Sequence, residues 1–105
     1  MVKEIVAEEF EKELASKEVV LVEFYGVWCM PCKMLSGVLD KVDAKMEDKI
    51  NIVKIDVDKS TELVKKIGVL TTPTMVVFKN GEEVERAVGF RQEKQIVDMV
   101  SKFLG

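Results

Sequence analysis

Two cysteines three residues apart are the residues of this chain whose type and spacing could do chemistry. They lie in the segment Trp28-Cys29-Met30-Pro31-Cys32, which follows an apolar run and precedes a stretch with helical periodicity. Cys29 is therefore expected near a helix N-terminus, where the helix dipole stabilises a thiolate. Cys32 lies one helical turn further on, within reach of the first thiol. This spacing predicts a reversible disulfide, with Cys29 as the exposed nucleophile and Cys32 as the shielded, resolving thiol.

Two other interpretations of the cysteine pair stay open. A Cys-x-x-Cys pair can be half of a structural zinc site, which needs four ligands. The chain has no His and no third Cys, so zinc would need carboxylate ligands or a second chain, and we expect neither a metal nor another bound cofactor. The cysteines could also be inert, but Pro31 argues against this because it favours a helix start that lowers a thiol pKa.

Two charged residues interrupt apolar runs and are candidates to assist the cysteines. Glu23 lies within Val19–Tyr25, a run typical of a strand buried on both faces. Burial raises the pKa of a carboxyl group and makes it a usable proton carrier, so we expect Glu23 to lie beneath Cys32 and take its proton. Lys54, within Ile50–Val57, could pair with Glu23 across the sheet and lower the pKa of that carboxyl group. The alternatives are a water-facing Glu23 on an edge strand and a surface Lys54.

The elements that must position these residues follow from the hydrophobic pattern and have the order β-α-β-α-β-α-β-β-α. The predicted strands are Val2–Val6, Val19–Tyr25, Ile50–Val57, Thr74–Phe78 and Glu83–Val88, and the predicted helices are Ala7–Lys17, a segment from Pro31 through Met46, Thr61–Ile67 and Gln92–Leu104. The βαβ units predict parallel strands, and Asn80-Gly81 predicts a tight antiparallel hairpin. The expected fold class is α/β, with a central mixed five-stranded sheet flanked by four helices.

The composition of the chain limits its class and partners. Its 105 residues, 48% of them hydrophobic and 33% charged, suit a single domain spanning residues 1–105. The net charge of −3 provides no electrostatic reason to expect nucleic acid or an anionic membrane as a partner. No apolar stretch is long enough to cross a bilayer, and the N-terminal segment is broken by acidic residues and does not resemble a signal peptide. We therefore expect a cytoplasmic protein.

Several motifs together make the chain resemble the thioredoxin family over essentially its whole length. The matching segments are Val22-Glu23-Phe24-Tyr25, Trp28-Cys29-Met30-Pro31-Cys32-Lys33-Met34, Lys54-Ile55-Asp56-Val57-Asp58, Thr72-Pro73-Thr74, Lys79-Asn80-Gly81 and Val88-Gly89. The resemblance implies the thioredoxin fold, a cis peptide bond before Pro73 and protein disulfide reductase activity. It also implies a thioredoxin reductase as electron donor and oxidised proteins as substrates, with the chain acting as a monomer and needing no cofactor.

The resemblance further implies one flat surface on which partners dock. The residues expected to bind substrate are Trp28, Met30, Pro31, Thr72, Pro73 and Gly89. Three positions depart from the usual family pattern, which has Gly in place of Met30, Asp in place of Glu23 and Ile in place of Thr72. Two alternative functions therefore stay open: a glutaredoxin-like oxidoreductase that uses glutathione, and a binding module with the thioredoxin fold that needs no thiol.

Overall fold

A five-stranded sheet with helices on both faces organises the chain. The computed structural model describes residues 1–105. The strands are β1 (Lys3–Glu4), β2 (Val19–Tyr25), β3 (Ile50–Asp56), β4 (Thr74–Lys79) and β5 (Glu82–Val88), and the helices are α1 (Phe10–Leu14, after a 3-10 turn over Ala7–Glu9), α2 (Met30–Met46), α3 (Thr61–Ile67) and α4 (Glu93–Ser101). The predicted fold class and element order are confirmed. None of the helices combines the length and apolar character that crossing a membrane requires.

The strand order β1-β3-β2-β4-β5 places β2 at the centre of the sheet. β1 and β2 both run parallel to β3, whereas β4 runs antiparallel to β2 and to β5. Asn80 and Gly81 both have positive φ, 51° and 84°, as a two-residue hairpin turn requires. Because of these directions, β2, β3 and β5 end at the same edge of the sheet at which β4 begins. The segments that follow or precede these strand ends are therefore brought together at that edge.

Two hydrophobic cores lie between the sheet and the helices, one on each face of the sheet. On one face α2 and α4 cover β2, β3 and β4 through buried residues that include Leu21, Leu35, Leu39, Ile52, Ile96 and Val100. On the other face α1 and α3 cover the alternate residues of the same strands, with Phe10, Leu14, Val20, Val22, Phe24 and Ile55 among the buried set. Helices lie on both faces, as predicted, and the continuous apolar run of β2 reflects a strand that is buried on both sides.

The ends of three elements differ from the predicted ones. The first strand, β1, is shorter than predicted and lies at the edge of the sheet. Its pairing with β3 ends at the hydrogen bond from the Ile5 N–H to the carbonyl of Lys54. The first helix ends at Leu14, since the Ser16 hydroxyl donates to the carbonyl of Glu13 and satisfies a helix-end acceptor. The last helix also ends early, at Ser101, and the residues after it turn back toward the core.

Candidate active site

The two cysteines stand at the start of α2, just beyond the end of β2. Cys29 is the N-cap residue of the helix, and Pro31 occupies the first turn. The backbone N–H of Cys32 donates a hydrogen bond to Cys29 Sγ, at 3.3 Å. The two side chains are joined as a disulfide, with their Cα atoms 5.3 Å apart. The helix N-terminus and this N–H donor both face the sulfur of Cys29, an arrangement that stabilises a thiolate.

Solvent exposure does not distinguish the two cysteines, contrary to expectation. Cys29 is 6% exposed and Cys32 is 4% exposed. The exposed groups are instead the neighbours of Cys29 in the chain, since Trp28 and Met30 are each 64% exposed. The difference between the two thiols therefore rests on the N-cap position of Cys29 and not on burial.

Glu23 lies on the face of β2 that α2 covers. The residue is 2% exposed, and it lines a cavity of about 240 Å³ together with Cys32. Its Oε2 atom has no hydrogen-bond partner. Burial raises the pKa of Glu23 from 4.5 to about 7, and the positive charge of Lys54 opposes that rise. The predicted burial of Glu23 is confirmed, and a carboxyl group with this pKa can exchange a proton near neutral pH.

Lys54 lies beside Glu23 without forming an ion pair with it. The two residues are register partners in the parallel β2–β3 pair, so the predicted proximity is confirmed. None of the six ion pairs in the structure involves Lys54. Its Nζ lies over the ring of Tyr25 instead, 5.4 Å from the ring centroid, where the aromatic face attracts the ammonium group. The ion pair that Lys54 could have formed with Glu23 is absent.

Two residues that the sequence motifs did not single out for a role hold the indole of Trp28. Asp58 Oδ2 accepts a hydrogen bond from Trp28 Nε1 at 2.9 Å. A Cβ atom at Gly26 would come within 2.7 Å of the indole ring, so the absence of a side chain there allows the ring to lie against the backbone. Asp58 follows the end of β3, at the edge of the sheet where β2 also ends. The sequence feature that could have identified Asp58 is its position in the run from Asp56 to Asp58, directly after a buried strand.

The loop before β4 and the loop after β5 meet at the same edge of the sheet. The Thr72–Pro73 peptide bond is cis, as the family resemblance implied. The backbone N–H of Gly89 donates to the carbonyl of Pro73 at 2.8 Å. Gly89 has a φ of 93°, a left-handed conformation that favours glycine. The expected substrate-binding residues Pro73 and Gly89 are thus in direct contact.

A second cavity, of about 390 Å³, lies between Trp28 and Thr72. Its other walls come mainly from α3 and the loop after it and include Val64, Val69 and Leu70. Leu70 is 97% exposed, so apolar surface continues outward from the cavity. We use the term docking surface for the residues around the redox pair that were expected to bind substrate, namely Trp28, Met30, Pro31, Thr72, Pro73 and Gly89, of which Pro73 is buried in the structure.

The arrangement can carry out thiol–disulfide exchange. A sulfur at a helix N-terminus can attack a disulfide, a second sulfur lies within bonding distance, and a carboxyl group with a pKa near 7 lines the cavity behind that second sulfur. Trp28 and Met30 provide exposed apolar surface beside the attacking sulfur. No three Cys, Asp or Glu side chains are grouped as they would be to hold a metal ion.

Comparisons with known proteins agree on one family. A family model described as "Thioredoxin" matches residues 1–102. The chain is 47% identical over 89 residues to the thioredoxin of Bacillus subtilis (strain 168), covering 85% of this chain and 86% of the relative. It is 36% identical over 104 residues to the thioredoxin of Listeria monocytogenes, covering 99% and 100%. A solved structure of a mutant thioredoxin from Halobacterium salinarum NRC-1 superposes with a TM-score of 0.90 at 31% identity, covering 98% and 92%.

Proposed function

This chain belongs to the thioredoxin family, and from that premise we propose that it reduces protein disulfides with Cys29 as the attacking thiol and Cys32 as the resolving thiol. Members of the family are thiol–disulfide oxidoreductases, and the Cys29–Cys32 pair supplies the redox centre. The observation that supports the assignment of roles is the N-cap position of Cys29, whose sulfur accepts the Cys32 N–H. Only that sulfur receives both the helix dipole and a backbone donor.

The reaction transfers two electrons from the cysteine pair to the substrate. The Cys29 thiolate attacks one sulfur of a substrate disulfide, so that a Cys29–substrate disulfide forms and the other substrate sulfur leaves as a thiolate that takes up a proton. Cys32 then loses its proton and attacks Cys29 Sγ. The Cys29–Cys32 disulfide forms, the bond to the substrate breaks, and the second substrate sulfur leaves as a thiolate. The substrate is reduced and the cysteine pair is oxidised.

Glu23 is the proton acceptor for Cys32 in this proposal. Both side chains line the 240 Å³ cavity, which is large enough to admit water and so to carry a proton between them. Burial places the pKa of Glu23 at about 7, so the ionised, accepting form becomes abundant as the pH rises through neutrality. Lys54 contributes positive charge beside this carboxyl group.

A Glu23→Gln variant tests the proton step. We expect the second phase of the reaction, release of the substrate by Cys32, to slow more than the first attack by Cys29. Rapid-mixing kinetics with a chromogenic disulfide separates the two phases. Equal slowing of both phases would remove Glu23 from the proton transfer while leaving the roles of the cysteines intact.

The partners and setting follow from the family and remain part of the proposal. A thioredoxin reductase regenerates the dithiol, and oxidised proteins bind at the docking surface, where Trp28 and Met30 are the most exposed apolar groups. Residues 1–105 act as one domain, as a monomer and in the cytoplasm. Met30 adds apolar surface beside Cys29, where the family usually has Gly, and we propose that it influences which partners fit.

Coupled turnover tests this function against the alternatives. With insulin as the disulfide substrate, we expect NADPH or ferredoxin oxidation through a thioredoxin reductase and little turnover with glutathione. Efficient coupling to glutathione alone would favour a glutaredoxin-like enzyme. A Cys29→Ser variant with full biological function would favour a binding module that needs no thiol.

A further inference from the structure

We infer that Tyr25 is a positioning residue, which binds the Lys54 ammonium group on its ring and thereby keeps that charge from pairing with the Glu23 carboxyl group. The inference rests on the proposed role of Glu23 as proton acceptor and adds to it a residue that sets how well Glu23 can act. It starts from an unexpected feature of the site: a buried carboxylate and a lysine are neighbours, yet they form no ion pair.

The sheet places the three side chains on one face. Glu23 and Tyr25 are two residues apart on β2, and successive side chains of a strand alternate between faces. Lys54 is the register partner of Glu23 on β3, so it projects from the same face. All three residues line the cavity that also contains Cys32. Lys54 therefore has three groups within reach: the carboxyl group of Glu23, the ring of Tyr25, and the carboxylate of Glu4, its register partner on β1, which accepts the Tyr25 hydroxyl.

In the structure the ammonium group of Lys54 lies over the aromatic ring of Tyr25. Its Nζ lies 5.4 Å from the Tyr25 centroid, inside the distance at which an aromatic face attracts an ammonium group. Oε2 of Glu23 is left without any hydrogen-bond partner, although a lysine stands at the adjacent register position. The ring thus holds the charge close enough to act on Glu23 through space but out of direct contact with it.

Tyr25 is itself fixed in place. Its hydroxyl donates a hydrogen bond to Glu4 Oε1 at 2.8 Å, which ties the ring to β1 on the far side of β3. Burial and the neighbouring Glu4 carboxylate raise the pKa of Tyr25 above its ordinary 10.0, so the phenol stays neutral throughout the working pH range. A neutral ring with its hydroxyl bonded to Glu4 is suited to hold Lys54 over its face.

The other groups around Glu23 do not substitute for Tyr25. From β4 the register partner of Glu23 is Met75, which is apolar and fully buried. From α2 the cavity is lined by Cys32, Ser36 and the exposed Lys33. From the ends of β1 and β3 come Glu4 and Asp56, both of which lie near Tyr25 and carry negative charge. The charge that acts on the pKa of Glu23 is that of Lys54, which opposes the larger effect of burial. The location of Lys54 therefore affects how strongly the ionised form of Glu23 is favoured.

Removing the ring tests this inference directly. In Tyr25→Leu, Lys54 loses its aromatic partner and is free to pair with Glu23, and a direct ion pair lowers the pKa of a carboxyl group by about 1 unit or more. We expect Tyr25→Phe, which keeps the ring and loses the bond to Glu4, to stay closer to the wild-type value than Tyr25→Leu does. The measurement is a carbon-13 NMR titration of the Glu23 carboxyl group in the disulfide form, with Glu23→Gln used to identify the signal.

A Lys54→Gln background shows whether the effect passes through Lys54. We expect the Tyr25→Leu change to leave the Glu23 titration unaltered once Lys54 is replaced. An unchanged titration midpoint in Tyr25→Leu, or an equal change with and without Lys54, would overturn the inference, and Tyr25→Ile serves as the ring-free variant if Tyr25→Leu does not fold. Since the titration requires no turnover, failure of the proton-acceptor role in the Glu23→Gln kinetics is a separate result.

Discussion

The burial of Glu23 predicts that its contribution to the free energy of unfolding decreases as the pH rises toward neutrality. The pKa of Glu23 is about 7 in the folded protein, against 4.5 for the unfolded chain. The folded state therefore binds more protons than the unfolded state between these two values, so the free energy of unfolding falls as the pH rises through this window. Below 4.5 the stabilising contribution of the neutral carboxyl group is fully present, and it is lost as the pH rises through about 7.

The expected size of the effect follows from the two pKa values. The difference of about 2.5 pH units corresponds to about 3 kcal/mol, at 1.36 kcal/mol per unit. Glu23→Gln removes the titration while keeping a side chain of the same length. Relative to wild type, we therefore expect Glu23→Gln to be about 3 kcal/mol more stable at about pH 8 than it is at about pH 4.

Urea unfolding of the disulfide forms, followed by circular dichroism across that pH range, measures this difference. Glu13→Gln is a matched control, because Glu13 is a carboxylate whose pKa is lowered by hydrogen bonds from Lys3 and Asn51. The contribution of Glu13 is present above its ordinary pKa and is lost as the pH falls, so its pH dependence has the opposite sign. If the stability difference between wild type and Glu23→Gln stayed constant within about 0.5 kcal/mol from acid to neutral pH, the account of a buried, neutralised Glu23 would be wrong.

Two further predictions concern the core and the docking surface. Leu39 lies between α2 and the sheet and is 1% exposed. Leu39→Ala is therefore expected to lower the free energy of unfolding by about 2–5 kcal/mol, as measured by urea unfolding. A loss below about 1 kcal/mol would contradict this packing. Asp58→Ala removes the acceptor of the Trp28 indole N–H and is expected to lower kcat/KM for insulin reduction about fivefold, the equivalent of one hydrogen bond. Asp58→Asn keeps an acceptor oxygen and is expected to retain more activity. Equal losses of kcat/KM in the two variants would argue against a role for that hydrogen bond.

Much of the fold was predictable because its strongest signals are local. β2 and β3 are continuous apolar, β-branched runs whose bounds emerge within one residue of the prediction. Asn80-Gly81 marks the hairpin through backbone conformations that few other residues adopt. Glu23 could be recognised as buried because its neighbours on both sides are apolar. Each of these inferences depends on residues that are close together in the chain.

What the sequence did not show depends on contacts between distant residues and on the choice among rotamers. Asp58 bonds to Trp28 across 30 positions of sequence. Lys54 has a long, flexible side chain with Glu23, Glu4 and Tyr25 in reach, and nothing in its local sequence indicates that it lies over the ring of Tyr25. The similar burial of the two cysteines also depends on the residues that the fold packs around them. The functional residues were therefore identifiable, but their mutual arrangement required the fold.

Trapping the covalent intermediate tests the central claim, that Cys29 attacks and Cys32 resolves, most directly. Reduced Cys32→Ser is mixed with insulin, and the resulting adduct is digested and mapped by mass spectrometry alongside the Cys29→Ser control. Cys29 at the helix N-cap can still attack in the first variant, but nothing can release the substrate. The account predicts a stable disulfide between Cys29 and insulin in Cys32→Ser and little adduct in Cys29→Ser. A stable adduct through Cys32 in Cys29→Ser, with none in Cys32→Ser, would contradict it.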